Sequence, residues 1–148
     1  MKTIQKKHIK TLSASIDVAV RFSETDPMGV VWHGNYLKFF EDAREHFGRQ
    51  YGLEYLSVYD KGYFIPIVKS EINHVSPIFY GEKARVHIIL EKHRAAKLVF
   101  RYEVLNLSKN QLAAKGQTIQ VFMNAKDREL EIIKPAFYEA WESKQNWK

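Results

Sequence analysis

Asp26 opens a turn, Asp26-Pro27-Met28-Gly29, and seven positions later the chain reaches a corner, His33-Gly34-Asn35, that leads into a strongly amphipathic stretch. A carboxylate in such a turn can attack an acyl carbon or draw a proton from water. The start of a helix offers unsatisfied N–H groups and the positive end of its dipole, and both polarise a carbonyl. A base or nucleophile facing an oxyanion site is the minimum equipment for acyl transfer. Glu24, two residues before Asp26, is a second acid in the same turn. Gly29 and Gly34 permit tight bends and close approach of a substrate.

The element that must position this corner is a helix over 36–51. Tyr36, Phe40, Ala43, Phe47 and Tyr51 recur at spacings of four and three, and Leu37 and Phe39 widen the stripe. Lys38, Glu41, Asp42, Arg44, Glu45 and Arg49 fall on the other faces. Asn35 reads as the N-cap and Gly52 as the C-terminal stop. Residues 13–22 alternate, with Ile16, Val18, Val20 and Phe22 on one face, the period of a half-buried strand. Four further strands are expected at about 64–75, 83–92, 97–106 and 113–124, joined by short turns as in antiparallel neighbours. A short closing helix is expected after Pro135. No second helix matches the first in strength, so its apolar stripe must bury against the sheet, giving an α+β fold.

Composition narrows the chemistry. The 148 residues are enough for one domain with a core, and 45% of them are hydrophobic, including 9 Phe, 8 Tyr and 3 Trp. The whole chain, 1–148, is read as a single domain, with residues 1–12 a frayed basic N-terminus. Absence of cysteine removes disulfides, thiol nucleophiles and thiolate-bound metals. No apolar run reaches the roughly 20 residues of a membrane span, and no secretory signal pattern is present, so the expected location is cytoplasmic. The histidines lack the spacing of a helical metal site, and no metal is expected. Gly-rich phosphate-binding patterns are missing, as is Gly-x-Ser-x-Gly. The net charge of +6 suits a polyanionic partner or a solvated basic surface. Its densest run is Lys2, Lys6, Lys7 and Lys10.

The stretch Asp26-Pro-Met-Gly-Val-Val-Trp-His-Gly-Asn-Tyr36, with its strand before and its helix and strands after, closely resembles the active-site motif of the 4-hydroxybenzoyl-CoA thioesterase family of hotdog-fold enzymes. That family includes the Tol–Pal-associated acyl-CoA thioesterases. The resemblance is specific over residues 24–36 and extends more weakly from about Ile16 to Pro135. It implies one long central helix packed on a curved antiparallel sheet of about five strands. Asp26 becomes the catalytic carboxylate, as nucleophile or general base. His33 contributes its main-chain N–H to the thioester oxygen, not its imidazole. Gly34 and Tyr36 then border the pocket, although Tyr36 also begins the buried stripe. Pro66, Ile67 and Val68 fall near the acyl pocket, facing the helix, with Lys69 and Ser70 as weaker candidates. The turn His93-Arg94-Ala95-Ala96-Lys97 matches a basic, nucleotide-contacting turn, which makes Arg94 and Lys97 candidates for the coenzyme A phosphates. Arg128 is a third.

The resemblance further implies hydrolysis of an acyl-CoA to a carboxylic acid and CoA. No cofactor is needed, since coenzyme A belongs to the substrate. It also implies a homodimer or homotetramer, with the acyl site between subunits. An acidic acyl carrier protein would suit the same basic surface. A hydroxyacyl dehydratase, which relies on an imidazole–carboxylate pair, and a non-catalytic acyl-CoA-binding domain are the other readings. No motif for nucleic acid is seen.

Overall fold

The computed structural model describes residues 7–148. Of the basic N-terminal run, Lys2 and Lys6 lie outside the described residues. The remainder is not all frayed: β1 (Thr11–Ala19) begins inside the segment expected to be loose. It does so because Thr11 and Leu12 pair with Glu91 and Leu90, and Leu12 is buried there.

After β1 comes one 3-10 turn, Phe22–Glu24, and then α1 (Asn35–Tyr51). A short helix α2 (Tyr55–Asp60) and a two-residue strand β2 (Tyr63–Phe64) follow. Next are β3 (Ile67–His74), β4 (Lys83–Glu91), β5 (Lys97–Asn106) and β6 (Gln111–Val121). The chain finishes with β7 (Met123–Asn124) and α3 (Ala136–Ser143). Five strands form one antiparallel sheet in the order β1-β4-β5-β6-β3, while β2 and β7 pair separately. With α1 laid against one face, this is the hotdog fold.

The core sits between α1 and that face. Ala84, Val86, Ile88 and Leu90 alternate inward from β4, and Leu98, Phe100, Tyr102 and Val104 from β5, all essentially buried. Tyr36, Phe39, Phe40, Ala43 and Phe47 come down from the helix to meet them. Phe40 stacks on Tyr102 at 4.1 Å, and Phe47 meets Phe100 edge-on. Each such buried aromatic contributes about 2–3 kcal/mol of transfer free energy. Opposite Phe40 the sheet carries Gly116, where a Cβ would stand 2.4 Å from the Phe40 ring. The helix stops at Gly52, whose φ of 72° takes the left-handed form and whose N–H returns to the Gly48 carbonyl.

Several expectations need correction. The N-cap is Gly34; Asn35 is the first helical residue and is buried, its side chain drawn to the Glu24 carbonyl instead of capping. Leu37 does not widen the stripe but points outward, 44% exposed. Arg44, placed on a polar face by periodicity, is 6% exposed, because the Tyr102 hydroxyl accepts its Nη1 at 3.0 Å beneath the helix. Phe22 leaves the β1 face for the 3-10 turn and is exposed. The strand expected over 64–75 breaks around Ile65-Pro66 into β2 and β3, since proline has no N–H for the ladder. The strand expected at 113–124 starts earlier, at Gln111, and divides at Phe122. Helix α2 carried no readable periodicity.

Candidate active site

The loop between β1 and α1 is built on backbone hydrogen bonds. Thr25 pairs with Val31, and the Asp26 N–H donates to the Val30 carbonyl at 2.8 Å. The Gly29 N–H returns to the Asp26 carbonyl at 2.9 Å, a closure reached with φ of 77° at Gly29, where a side chain would be strained. The corner is fastened to the β3–β4 connection: Val31 N–H donates to the Ile78 carbonyl at 2.8 Å and Tyr80 N–H to the Gly29 carbonyl at 3.1 Å. Residue 26 is thereby folded back beside the segment leading to residue 33.

Asp26 is half-buried, and its carboxylate is oriented by its own turn. Oδ1 accepts the Met28 N–H at 2.9 Å and the Val30 N–H at 3.4 Å. No hydrogen bond to Oδ2 exists among the described residues. A carboxylate held by one oxygen with the other free is equipped as a base or a nucleophile. Glu24 is occupied otherwise: its Oε1 accepts the Arg21 N–H at 2.7 Å, closing the 3-10 turn.

The helix head is pinned through the Glu24 carbonyl, which accepts both the Trp32 N–H at 2.9 Å and the Asn35 side-chain amide at 2.8 Å. Asn35 and Tyr36 N–H groups turn back to the Trp32 and His33 carbonyls. The N–H groups of His33 and Gly34 donate to no acceptor among the described residues. They stand at the positive end of α1 and are suited to a developing oxyanion. Gly34 cannot carry a side chain without displacing Trp32, since a Cβ would fall 2.2 Å from its ring. The His33 imidazole is exposed and leans on the Trp32 ring at 4.9 Å.

Tyr36 is 3% exposed, and burial pushes its hydroxyl pKa up. Its ring meets His74 edge-on at 4.9 Å. His74, the last residue of edge strand β3, is thus brought to the helix head although nothing local in the sequence singles it out. The signal was the parity of Ser70, Ile72 and His74, which sit across from Thr118, Gly116 and Ala114 on the helix-facing side.

The other candidates lie apart. Pro66, Ile67 and Val68 are at the opposite end of β3, with Ile67 and Val68 exposed. Lys69 pairs with Glu71 at 2.9 Å on the exposed strand, and Ser70 is exposed. Arg94 and Lys97 are at the β4–β5 turn, and Arg128 follows β7 with φ of 61°. Because β4 starts beside the Asp26 corner and runs for nine residues, this turn is about 26 Å away within one protomer. A cavity of about 630 Å³ on the β1 side of α1 is lined by Asp17, Arg21, Glu24, Lys38 and Asp42, not by Asp26 or His33.

Residues 20–141 match the family model of the thioesterase-like superfamily. Among curated relatives, YneP of Bacillus subtilis (strain 168), which carries a provisional acyl-CoA thioesterase name, is 37% identical over 90 residues. That alignment spans 61% of this chain and 65% of the relative, so the chain matches slightly under two thirds of its length. Among solved structures, the DHNA-CoA thioesterase of Staphylococcus aureus superposes with a TM-score of 0.79 at 30% identity, covering 89% of both chains. The 4-hydroxybenzoyl-CoA thioesterase of Pseudomonas sp. strain CBS-3 has the same fold, with a TM-score of 0.75 at 24% identity over 87% of this chain and 98% of that one. Among the described residues no helix is long and apolar enough to cross a membrane.

Proposed function

Because this chain belongs to the thioesterase-like superfamily, we propose that it is an acyl-CoA thioesterase in which Asp26 and the helix head of α1 carry the chemistry. Water supplies the oxygen that bonds to the acyl carbon; the carbon–sulfur bond breaks, and the thiolate leaving group takes a proton to become free CoA. The observation that carries the reading is the pair of undonated N–H groups, His33 and Gly34, on the same hydrogen-bonded corner as a carboxylate with one unengaged oxygen.

The thioester oxygen sits toward those amides. They stabilise the negative charge that grows as the carbon becomes tetrahedral, and loss of one such donor typically costs about 10²–10³-fold in rate. Asp26 Oδ2 either attacks the carbon, forming a mixed anhydride that water then opens, or takes the proton of the attacking water. The His33 imidazole has no part in the chemistry.

Coenzyme A binds through its phosphates to Arg94, Lys97 and Arg128, whose guanidinium and ammonium groups suit phosphate oxygens. Since these lie at the far end of the sheet from Asp26, they serve the site of a neighbouring protomer, and the active unit is a homodimer or a pair of dimers. The edge strand β3 is the joining element, for pairing there also removes an open ladder that invites aggregation.

The test is hydrolysis of a panel of acyl-CoA esters followed by thiol release. Asp26→Asn is expected to lower kcat by about 10²–10⁴-fold with the circular dichroism spectrum unchanged. His33→Ala keeps its main-chain N–H and is expected to retain activity within a factor of about three. Equal, background-level turnover by wild type and Asp26→Asn would end the proposal. Loss of activity in His33→Ala would favour imidazole chemistry of the dehydratase kind. A preference of more than tenfold for acyl carrier protein esters would replace coenzyme A as the carrier.

A further inference from the structure

Beneath the middle of α1 lies a polar cluster that the hydrolysis step does not use. Arg44 is 6% exposed, and its Nη1 donates to Tyr102 Oη at 3.0 Å. Tyr102 Oη in turn shares a hydrogen bond of 2.7 Å with Thr118 Oγ1. Gln120, 1% exposed, donates Nε2 to the Ile65 carbonyl at 2.8 Å and to Tyr55 Oη at 3.2 Å. Within this cluster, Arg44 Nε and Gln120 Oε1 are buried without a hydrogen-bond partner among the described residues. The carboxylate nearest Arg44 is Glu41, 3.8 Å from Nη2 and itself well exposed. A buried guanidinium is ordinarily matched by a buried anion, because an isolated interior charge is expensive.

The position of this cluster says what the anion belongs to. Arg44 is nine residues along α1 from Asn35, about 14 Å from the helix head. Along β3 the helix-facing residues run from His74, beside Tyr36, through Ile72 to Ser70, about 13 Å. Ser70 faces Thr118, the residue bonded into the cluster. Ser70 and His74 are exposed and Ile72 is half-covered, so α1 leaves the helix-facing side of β3 partly uncovered. A second route, a cleft of about 110 Å³ between α1 and α2, also reaches Arg44, but Glu45 and Glu54 line it and repel an anion.

We propose that the groove between α1 and β3 takes an acyl chain whose far end is a carboxylate, and that Arg44, with the hydroxyls of Tyr55 and Tyr102 around it, binds that end. This rests on the thioesterase reading for the near end of the chain. Arg44 is then a specificity residue, selecting ω-carboxyacyl esters over plain acyl esters of equal length.

The experiment compares sebacoyl-CoA, decanoyl-CoA and ω-hydroxydecanoyl-CoA. For wild type, kcat/KM is expected to favour sebacoyl-CoA over decanoyl-CoA by about 10- to 100-fold, the range of a hydrogen bond to a charged group. Arg44→Gln is expected to bring that ratio near one. Tyr55→Phe removes only a hydroxyl from a residue 42% exposed and is expected to lower the ratio partway, so a folding failure of Arg44→Gln leaves the idea open to test. A wild-type ratio near one, a preference for the hydroxyl-ended ester, or a ratio unaltered in both variants overturns the inference. Binding of free sebacate, read as a rise in Tm for wild type that is absent in Arg44→Gln, needs no turnover. If no ester is hydrolysed yet sebacate binds through Arg44, the thioesterase reading fails and the anion site stands.

Discussion

At the scale of single residues, the corner before α1 is defined less by its side chains than by what its backbone leaves undone. Among the described residues, every backbone N–H from Thr25 to Tyr36 finds a carbonyl or carboxylate except those of His33 and Gly34. At Gly34 the Trp32 ring occupies the space a Cβ would need. Gly34→Ala is therefore expected to push the ring and twist the amide pair, lowering kcat by about 10²-fold with a smaller change in KM. The clash is with one side chain that is 49% exposed, so adding Trp32→Ala should recover much of the loss. Steady-state kinetics on both variants checks it; a double variant as slow as Gly34→Ala would mean that the amides are not positioned by this contact. Asp26 and the amide corner were legible in the sequence because turn chemistry is local and spelled by adjacent residues. His74 and Arg44 were not. One reaches Tyr36 only through the pairing of β3 with β6, and the other was assigned to a solvent face by a periodicity blind to the Tyr102 hydroxyl beneath it.

At the scale of elements, long periodic segments were readable and short ones were not. α1, β4 and β5 carry enough repeats for a 3.6 or 2.0 period to stand out, and their limits agree with the sequence reading within a residue or two. α2, β2 and β7 span six residues or fewer and exist because they pack or pair with neighbours. The turn before β4 shows how such a junction is held. Glu82 Oε1 accepts the Phe79 N–H at 2.7 Å, Oε2 accepts the Asn106 amide at 3.2 Å, and Lys109 stands 3.6 Å away. Partial burial works to raise the Glu82 pKa, but these donors outweigh it and hold the carboxyl below its ordinary value. The folded state thus binds the proton more weakly than the unfolded chain. The stabilisation is fully present above the ordinary glutamate pKa of about 4.3 and is lost as pH falls through the lower folded value. Phe79 also pairs with Val30, so this clasp backs the Asp26 corner. Thermal melts from about pH 7 down to about pH 3 should show wild type losing stability toward the acid end. Glu82→Gln should start lower at neutral pH and fall less steeply. Parallel curves would show that Glu82 contributes nothing to the acid limb.

At the scale of the whole molecule, the sheet separates what the proposed reaction needs to combine. Asp26 and the amide corner are at the end where β4 begins; Arg94, Lys97 and Arg128 are at the end where β4 and β6 finish. In the proposed homodimer, a two-fold axis through the open edge of β3 would run the partner's β3 antiparallel to it, setting the His74 end of one strand against the Ile67 end of the other. The same rotation would carry the basic end of one protomer to the Asp26 end of its mate. The proposed site is then shared, with the carboxylate from one chain and the phosphate grip from the next. Two inactive proteins should therefore complement each other. Asp26→Asn retains the basic end, and a triple variant with alanine at Arg94, Lys97 and Arg128 retains the carboxylate. Each alone is expected to be nearly inactive at substrate concentrations below the wild-type KM. Mixed, unfolded and refolded together, they should form mixed dimers in which one of the two sites has both halves intact, and thioesterase activity should return in proportion to the mixed fraction. Light scattering should give a mass at least about twice the 17.4 kDa of the chain. If the mixed dimers form and remain inactive, the two sets of residues do not serve one site across the subunit boundary.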